Sequence, residues 1–172
     1  MCIRDRSDGE NGMKCIRTSR KYFEGRDVYI GAGTVKKKEE IDVLSDMGVP
    51  YILTPGFDEQ IVRYALEKKI EVLPGVLTPS EVQAAVNCGI HLAKLFPADA
   101  FSDRYIKALK GPFPEMDYVA VGGVTPENAV NFYRLGYKGV AAGSNLVPKH
   151  AKRSDLKKIR ETARKYVEVS QI

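Results

Sequence analysis

The sequence predicts an α/β fold in which a parallel β-sheet is covered by helices. From residue 28 onward, short apolar segments alternate with amphipathic segments of helical periodicity. The apolar segments are nearly continuous, as in parallel strands that are buried on both faces. The repeat of roughly 20 to 25 residues per strand and helix fits a (β/α)₈ barrel better than an open sheet.

Six apolar segments are predicted as strands, with turn residues after them. They lie at residues 28–34, 51–56, 71–76, 91–98, 118–123 and 139–144. The helices between and after them are expected near residues 37–47, 58–69, 78–89, 103–110, 125–135 and 154–169. Thr78, Pro79 and Glu81 predict a capping box at the start of the third helix.

The residues before these strands do not complete the barrel. Residues 13–23 have the composition of the end of a helix, and residues 1–6 are charged and fit no barrel element. Because eight strands close this barrel, about two β/α units are expected to be missing from, or replaced at, the N-terminus. We expect a single domain over residues 1–172, a non-native or disordered start over residues 1–12, and an open edge between the strands at Val28 and Gly139.

Composition restricts the classes of function. The chain has 172 residues, 44% of them hydrophobic, and a net charge of +5, which is typical of a soluble globular domain. Its three cysteines and two histidines form no metal-ligand spacing, so no metal and a cytoplasmic location are expected. No apolar run is long enough to span a membrane, and the basic C-terminal segment indicates a solvated helix face rather than a nucleic-acid surface.

A single lysine, Lys94, stands within the apolar strand at residues 91–98. Burial disfavours the charged form of a lysine, and a neutral amine is a nucleophile that forms a Schiff base with a ketone. Alternatively, the aliphatic stem packs in the strand while the ammonium group reaches water. The residues alone leave both interpretations open.

Three of the predicted strands end in residues that suit substrate binding. Gly122-Gly123 and Gly143-Ser144 follow the last two strands, where barrels bind phosphate through backbone N–H groups and a helix N-terminus. Glycine also suits tight turns in general. Thr34 follows the first strand, where its hydroxyl would lie at the barrel mouth or cap the next helix.

Ordered motifs resemble one family of aldolases. They are GAGTV at residues 31–35, TPG at 54–56, PGVLTPSE at 74–81, KLFPA at 94–98, YIKALKGP at 105–112 and VGGV at 121–124. As a set they resemble the 2-keto-3-deoxy-6-phosphogluconate (KDPG) and 4-hydroxy-2-oxoglutarate (KHG) aldolase family. The resemblance implies a class I aldolase on a (β/α)₈ barrel, usually a homotrimer. Such an enzyme uses no metal or other cofactor, and it releases pyruvate and an aldehyde from a phosphorylated keto sugar acid or from 4-hydroxy-2-oxoglutarate.

The resemblance also implies roles for individual residues. Lys94 matches the lysine that forms the Schiff base with pyruvate. The other matched positions contact the substrate: Arg6, Thr34, Pro55 and Phe96 around the keto acid, and Gly122, Gly123, Gly143 and Ser144 at its phosphate. The residues alone also allow Pro55 to be a turn-forming proline and Phe96 to be a core residue.

Two departures from the family pattern bear on activity. The family carries a glutamate that moves protons through a water, four residues before an arginine; Arg6 matches the arginine, and Cys2 stands at the glutamate. Loss of a general acid/base costs about 10²–10⁴-fold in rate, so poor turnover is expected. Val121 resembles the phosphogalactonate type, whereas Gly56 and residues 111–114 resemble the phosphogluconate type, so the preferred sugar stays open.

Three functions are compared on this basis. The first is a Schiff-base aldolase, and the second is a phosphosugar-binding isomerase or synthase in which Lys94 is an ion-paired structural residue. The third is an inactive or binding-only fragment with unpaired strand edges. Reductive trapping with pyruvate separates them, since only the aldolase forms an adduct on Lys94.

Overall fold

The computed structural model describes residues 2–5, 10–148 and 150–170. The chain divides into two units, residues 1–93 and 94–172, and the division falls inside the strand that carries Lys94. The first unit contains β1 (Cys2–Asp5), α1 (Glu10–Tyr22), β2 (Ile30–Gly33), α2 (Lys38–Asp46), β3 (Tyr51–Leu53), α3 (Glu59–Glu67), β4 (Glu71–Leu73), β5 (Gly75–Val76) and α4 (Pro79–Asn87). The second begins within β6 (Leu92–Leu95) and contains α5 (Arg104–Lys110), β7 (Asp117–Val121), α6 (Pro126–Arg134), β8 (Gly139–Ala141) and α7 (Leu156–Ser170).

The sheet of the first unit has the strand order β1-β2-β3-β4, and each neighbouring pair of strands is parallel. All residues of β2 and β3 are buried, as the nearly continuous apolar segments predict for strands covered on both faces. Helix α2 buries Ile41 and Leu44, and α3 buries Val62 and Ala65. The predicted parallel α/β arrangement is therefore confirmed in this unit.

The expectation that residues 1–6 fit no barrel element is wrong for Cys2–Asp5. These residues form β1, which pairs in parallel with β2 from Cys2 opposite Ile30 to Asp5 opposite Gly33. The helix that follows is also complete rather than a helix end, since α1 runs over Glu10–Tyr22. The predicted open edge therefore does not lie at β2, which has strand neighbours on both sides, but at β1.

The predicted strand at residues 71–76 is interrupted at Pro74. Residues 71–73 form β4 and residues 75–76 form β5. Proline has no backbone N–H to donate to a neighbouring strand, so a ladder stops at that position. The predicted strand is thus present in two short pieces.

Helix starts follow the predicted caps closely. Thr78 and Glu81 form the predicted capping box, with Pro79 at the first helical position of α4. Thr125 caps α6 in the same way, with Asn128 in place of the glutamate. Each such cap satisfies backbone N–H groups that a helix start leaves without partners, which contributes about 1 kcal/mol.

In the second unit β6, β7 and β8 are neighbours in that order. Strand β7 pairs in parallel with β8, with Val121 opposite Ala141. Strand β8 is the last strand of its sheet within the described residues. Helices α5 and α6 cover the sheet with buried residues such as Ile106, Leu109 and Phe132.

The Tyr118 hydroxyl on β7 is fully buried, and no described residue forms a hydrogen bond with it. We expect Tyr118→Phe to raise the free energy of unfolding by about 1 kcal/mol, because it removes a buried hydroxyl that gains nothing in the folded state. Urea denaturation measures this change. Tyr22→Phe, at a ring that is 65% exposed, serves as the control and leaves the free energy of unfolding unchanged.

The same variant has a predicted pH signature. Burial raises the pKa of Tyr118 to about 12, so the folded chain keeps a proton that the unfolded chain loses above about pH 10. The free energy of unfolding of the parent therefore falls as pH rises from about 10 to about 12. Tyr118→Phe removes the contribution of this one titrating group to the pH dependence. An equal pH dependence in parent and variant, or a less stable variant, would contradict a buried Tyr118 hydroxyl without a hydrogen-bond partner.

No helix within the described residues has the length and apolar character needed to cross a membrane.

Candidate active site

Lys94 lies on β6 with its side chain half-buried. Its neighbours Ala93 and Leu95 are buried on the opposite face of the strand, at 0% and 1% exposure, because successive side chains of a strand alternate between faces. The Lys94 amine lies 4.5 Å from the centroid of the Phe96 ring, over its face. The strand thus separates a hydrophobic face from a face that presents the amine beside an aromatic ring.

Phe96 connects the lysine to the end of the next strand. A Cβ atom placed on Gly122 would lie 3.3 Å from the Phe96 ring and 3.2 Å from Pro97 Cα, so the ring rests against bare backbone. Gly122 also has a φ of +99°, a conformation that favours glycine. Lys94, Phe96 and Gly122 therefore form one continuous set of contacts in the second unit.

The loop after β7 is held by hydrogen bonds to its carbonyl groups. The Asn128 side-chain amide donates to the Gly123 carbonyl at 2.9 Å. The Val124 carbonyl accepts from the Tyr166 hydroxyl and from the Asn145 amide, both at 2.8 Å. The Gly123 and Val124 carbonyls thus both accept hydrogen bonds, and the loop leads directly into the N-terminus of α6.

Negative charge is favoured at the start of α6. A hydrogen bond from its own backbone N–H, and one with the Thr125 side chain, lower the pKa of Glu127. This is the expected effect of a helix N-terminus, whose N–H groups and dipole stabilise anions.

Gly143 and Ser144 follow β8 and are exposed. The Gly143 carbonyl accepts from the N–H groups of Leu146 and Val147, which makes a tight turn. Because β7 and β8 are parallel and Val121 pairs with Ala141, this turn and the loop at Gly122 both follow the carboxyl ends of adjacent strands. The structure thus brings the four predicted phosphate-site residues to the same end of one sheet.

Thr34 and Pro55 belong to the first unit. Thr34 follows β2 with a φ of +59°, a left-handed conformation that is unusual for a β-branched residue and is found at strained, functional positions. The alternative that Thr34 caps the next helix is wrong, since Lys37 is the cap residue of α2. Pro55 is exposed, and its carbonyl lies so close to Gly75 that a Cβ atom there would overlap it.

Buried Thr54 stabilises the turn that presents Pro55. Its hydroxyl donates to the Gly56 carbonyl at 2.6 Å and accepts from the Gly75 N–H at 3.3 Å. Arg6 lies outside the described residues, as does the side chain of Cys2. The roles predicted for Arg6, Thr34 and Pro55, and the effect of Cys2, stay predictions from the resemblance.

A family model described as KDPG and KHG aldolase matches residues 6–162 of this sequence. The chain belongs to this aldolase family. An Escherichia coli relative named 2-dehydro-3-deoxy-6-phosphogalactonate aldolase is 42% identical over 123 residues, which are 71% of this chain and 60% of the relative. The chain therefore spans less than two thirds of the length of this curated aldolase.

Solved aldolase structures share the fold. "Native KDPGal structure" is 30% identical, covers 98% of this chain and 80% of its own, and gives a TM-score of 0.89. A Legionella pneumophila KDPG aldolase, solved with pyruvate captured as a covalent carbinolamine, is 25% identical, covers 94% and 75%, and gives a TM-score of 0.73. These similarities confirm the predicted class of fold, that of the barrel aldolases.

Three residues of this aldolase-family chain support the loop after β7 but were not predicted as site residues. Asn128 is visible in the sequence as part of a helix cap, yet its bond to Gly123 carries no sequence signal. Asp99 and Tyr166 reach the loop from distant elements: the Asp99 carboxylate contacts Gly123, and Tyr166 comes from α7. Only the tertiary structure reveals them.

A cavity of about 720 Å³ in the first unit is lined by none of the predicted site residues that the structure describes. It is formed in the first unit between α1, β2 and α2, and its basic lining residues are Arg17, Arg20, Lys21 and Arg26. Arg20 and Lys21 stand in the last turn of α1, where positive charge stabilises the helix dipole. Within the described residues, no group of acidic, histidine or cysteine side chains could hold a metal ion.

Proposed function

We propose that the chain is a class I aldolase that cleaves a phosphorylated 2-keto-3-deoxy sugar acid to pyruvate and an aldehyde through a Schiff base on Lys94. The observation that carries the proposal is the position of Lys94 on β6. Phe96, which directly follows this strand, lies beside the Lys94 amine and contacts the glycine loop after β7. Support comes from the Legionella aldolase, in which pyruvate is held as a covalent carbinolamine.

In this mechanism the Lys94 amine attacks the keto carbon, and the resulting carbinolamine loses water to form a protonated imine. The imine accepts the electron pair of the bond between the third and fourth carbons of the substrate as the hydroxyl on the fourth carbon gives its proton to a water molecule, and the aldehyde leaves. The enamine that remains takes up a proton at carbon, and water hydrolyses the imine to give pyruvate and free Lys94. The Phe96 ring, 43% exposed, lies beside the amine and would contact the imine.

The phosphate of the substrate is assigned to the loops after β7 and β8. Gly122 and Gly123 offer backbone that no Cβ atom shields, the carbonyls of the loop are occupied, and α6 begins behind it. Gly143 and Ser144 lie at the same end of the adjacent strand. Backbone N–H groups at such a loop and helix start are a common phosphate site.

We propose the phosphogalactonate type as the preferred sugar. The Escherichia coli relative with 42% identity carries that name, and Val121, at the end of β7, is the residue that resembles this type. One contact at such a position shifts preference between sugars by about 1–3 kcal/mol. The resemblance further implies a homotrimer, for which light scattering would give three times the mass of the chain.

The proposal is tested by pyruvate release, coupled to lactate dehydrogenase, from three keto acids. We expect 2-keto-3-deoxy-6-phosphogalactonate to be cleaved with a higher kcat/KM than the gluconate isomer or 4-hydroxy-2-oxoglutarate. The rate is expected to be about 10²–10⁴-fold below that of a family member with the proton-moving glutamate. Absence of pyruvate from all three keto acids, with the Escherichia coli relative active in parallel, would reject the proposed activity.

A further inference from the structure

The carboxylate of Asp99 lies directly against Gly123. Asp99 belongs to the short 3₁₀ helix Ala98–Ala100 that follows the Lys94 strand, and a Cβ atom on Gly123 would overlap the Asp99 side chain. No described residue forms a hydrogen bond or ion pair with this carboxylate, and the side chain is exposed. A full negative charge thus stands beside the loop to which the substrate phosphate is assigned.

On its other side, Asp99 lines a cavity of about 210 Å³ together with Asp103 and Asn131. Asp103 accepts a hydrogen bond from the Asn131 amide at 3.3 Å. The three atoms nearest to a Cβ atom on Gly123 all belong to Asp99, so of the two acidic residues Asp99 is the one that lies against the loop. Asp103 therefore serves as the matched control for Asp99.

We propose that Asp99 is a specificity-determining residue that broadens the substrate range of the site to unphosphorylated 2-keto-3-deoxy sugar acids. The inference rests on the proposed function. A phosphate that accepts hydrogen bonds at Gly123 comes close to the Asp99 carboxylate, and like charges at that distance repel. A neutral terminal hydroxyl in the same place instead donates a hydrogen bond to the carboxylate, and such charge-assisted bonds are strong.

The test compares kcat/KM for 2-keto-3-deoxy-6-phosphogalactonate and for 2-keto-3-deoxygalactonate in the parent, Asp99→Asn and Asp103→Asn. Asparagine keeps the size of the side chain and removes its charge. We expect Asp99→Asn to raise the ratio of phosphorylated to unphosphorylated kcat/KM about tenfold, or about 1.4 kcal/mol. Asp103→Asn leaves the ratio unchanged, and the effect of Asp99→Asn shrinks at about 0.5 M salt because ions screen the repulsion.

An unchanged ratio in Asp99→Asn, or an equal rise in Asp103→Asn, would overturn the inference. Calorimetric titration with inorganic phosphate supplies a readout that does not require turnover. Its dissociation constant is expected to fall about tenfold in Asp99→Asn, and equal constants in all three proteins would also overturn the inference. Failure of the proposed function is distinguishable, because it shows as an absence of pyruvate from every substrate while the phosphate titration still decides the role of Asp99.

Discussion

Replacing Lys94 with alanine is expected to reduce pyruvate release by about 10⁴-fold, or to the uncatalysed rate, because it removes the nucleophile proposed for the covalent step. Lys94→Arg is expected to be equally inactive. The guanidinium keeps its positive charge, which can remain over the Phe96 ring, but it cannot lose a proton to attack a carbonyl. The pair of variants therefore separates nucleophilic chemistry from a purely electrostatic or structural role of the lysine.

Lys107→Ala is the matched control, since Lys107 is an exposed lysine on α5 in the same unit. It should retain the parental rate, and circular dichroism should show all three variants folded. Pyruvate release by Lys94→Arg at more than about a tenth of the parental rate would contradict a covalent role for the lysine.

Gly75→Ala is expected to lower the free energy of unfolding by about 3 kcal/mol, at the upper end of the cost of overpacking a buried site. A methyl group at residue 75 would overlap the Pro55 carbonyl, and it would come within 2.6 Å of the Pro55 carbonyl carbon and 2.9 Å of the Gly56 nitrogen. These are backbone atoms, so relief requires movement of the whole turn. The hydrogen bond from the Gly75 N–H to Thr54 Oγ1 would be stretched by the same movement.

Gly56→Ala, in the same turn, is the control. A Cβ atom there meets no atom within 4 Å, so the free energy of unfolding from urea denaturation should stay within about 0.5 kcal/mol of the parent value. Equal midpoints for Gly75→Ala and Gly56→Ala would show that the start of β5 does not approach the Pro55 turn as the structure describes.

Local signals explain why much of the fold was predictable from the sequence. The cap at Thr78 depends on residues within three positions of it, and the apolar segments of β2 and β3 are buried on both faces. Strand β1 was missed because Cys2–Asp5 contains two charged residues, and its strand conformation depends on pairing with β2, which lies more than twenty residues later.

The candidate site likewise has residues with a local sequence signal and contacts that depend on tertiary structure. Lys94, Phe96 and Gly122 were predictable because each stands in a short motif at the end of an apolar strand. Their mutual contacts and the left-handed backbone of Thr34 depend on tertiary structure. Asp99 carried no signal, because its contact with Gly123 joins segments that are separated by α5 and β7 in the chain.

The covalent role of Lys94 is tested most directly by incubating the chain with pyruvate, reducing with borohydride and locating the adduct by peptide mass mapping. The account predicts one reduced pyruvate adduct, on the peptide that contains Lys94, and none in Lys94→Arg. An adduct confined to other lysines, or an unmodified chain under conditions in which the Escherichia coli relative is labelled, would contradict it.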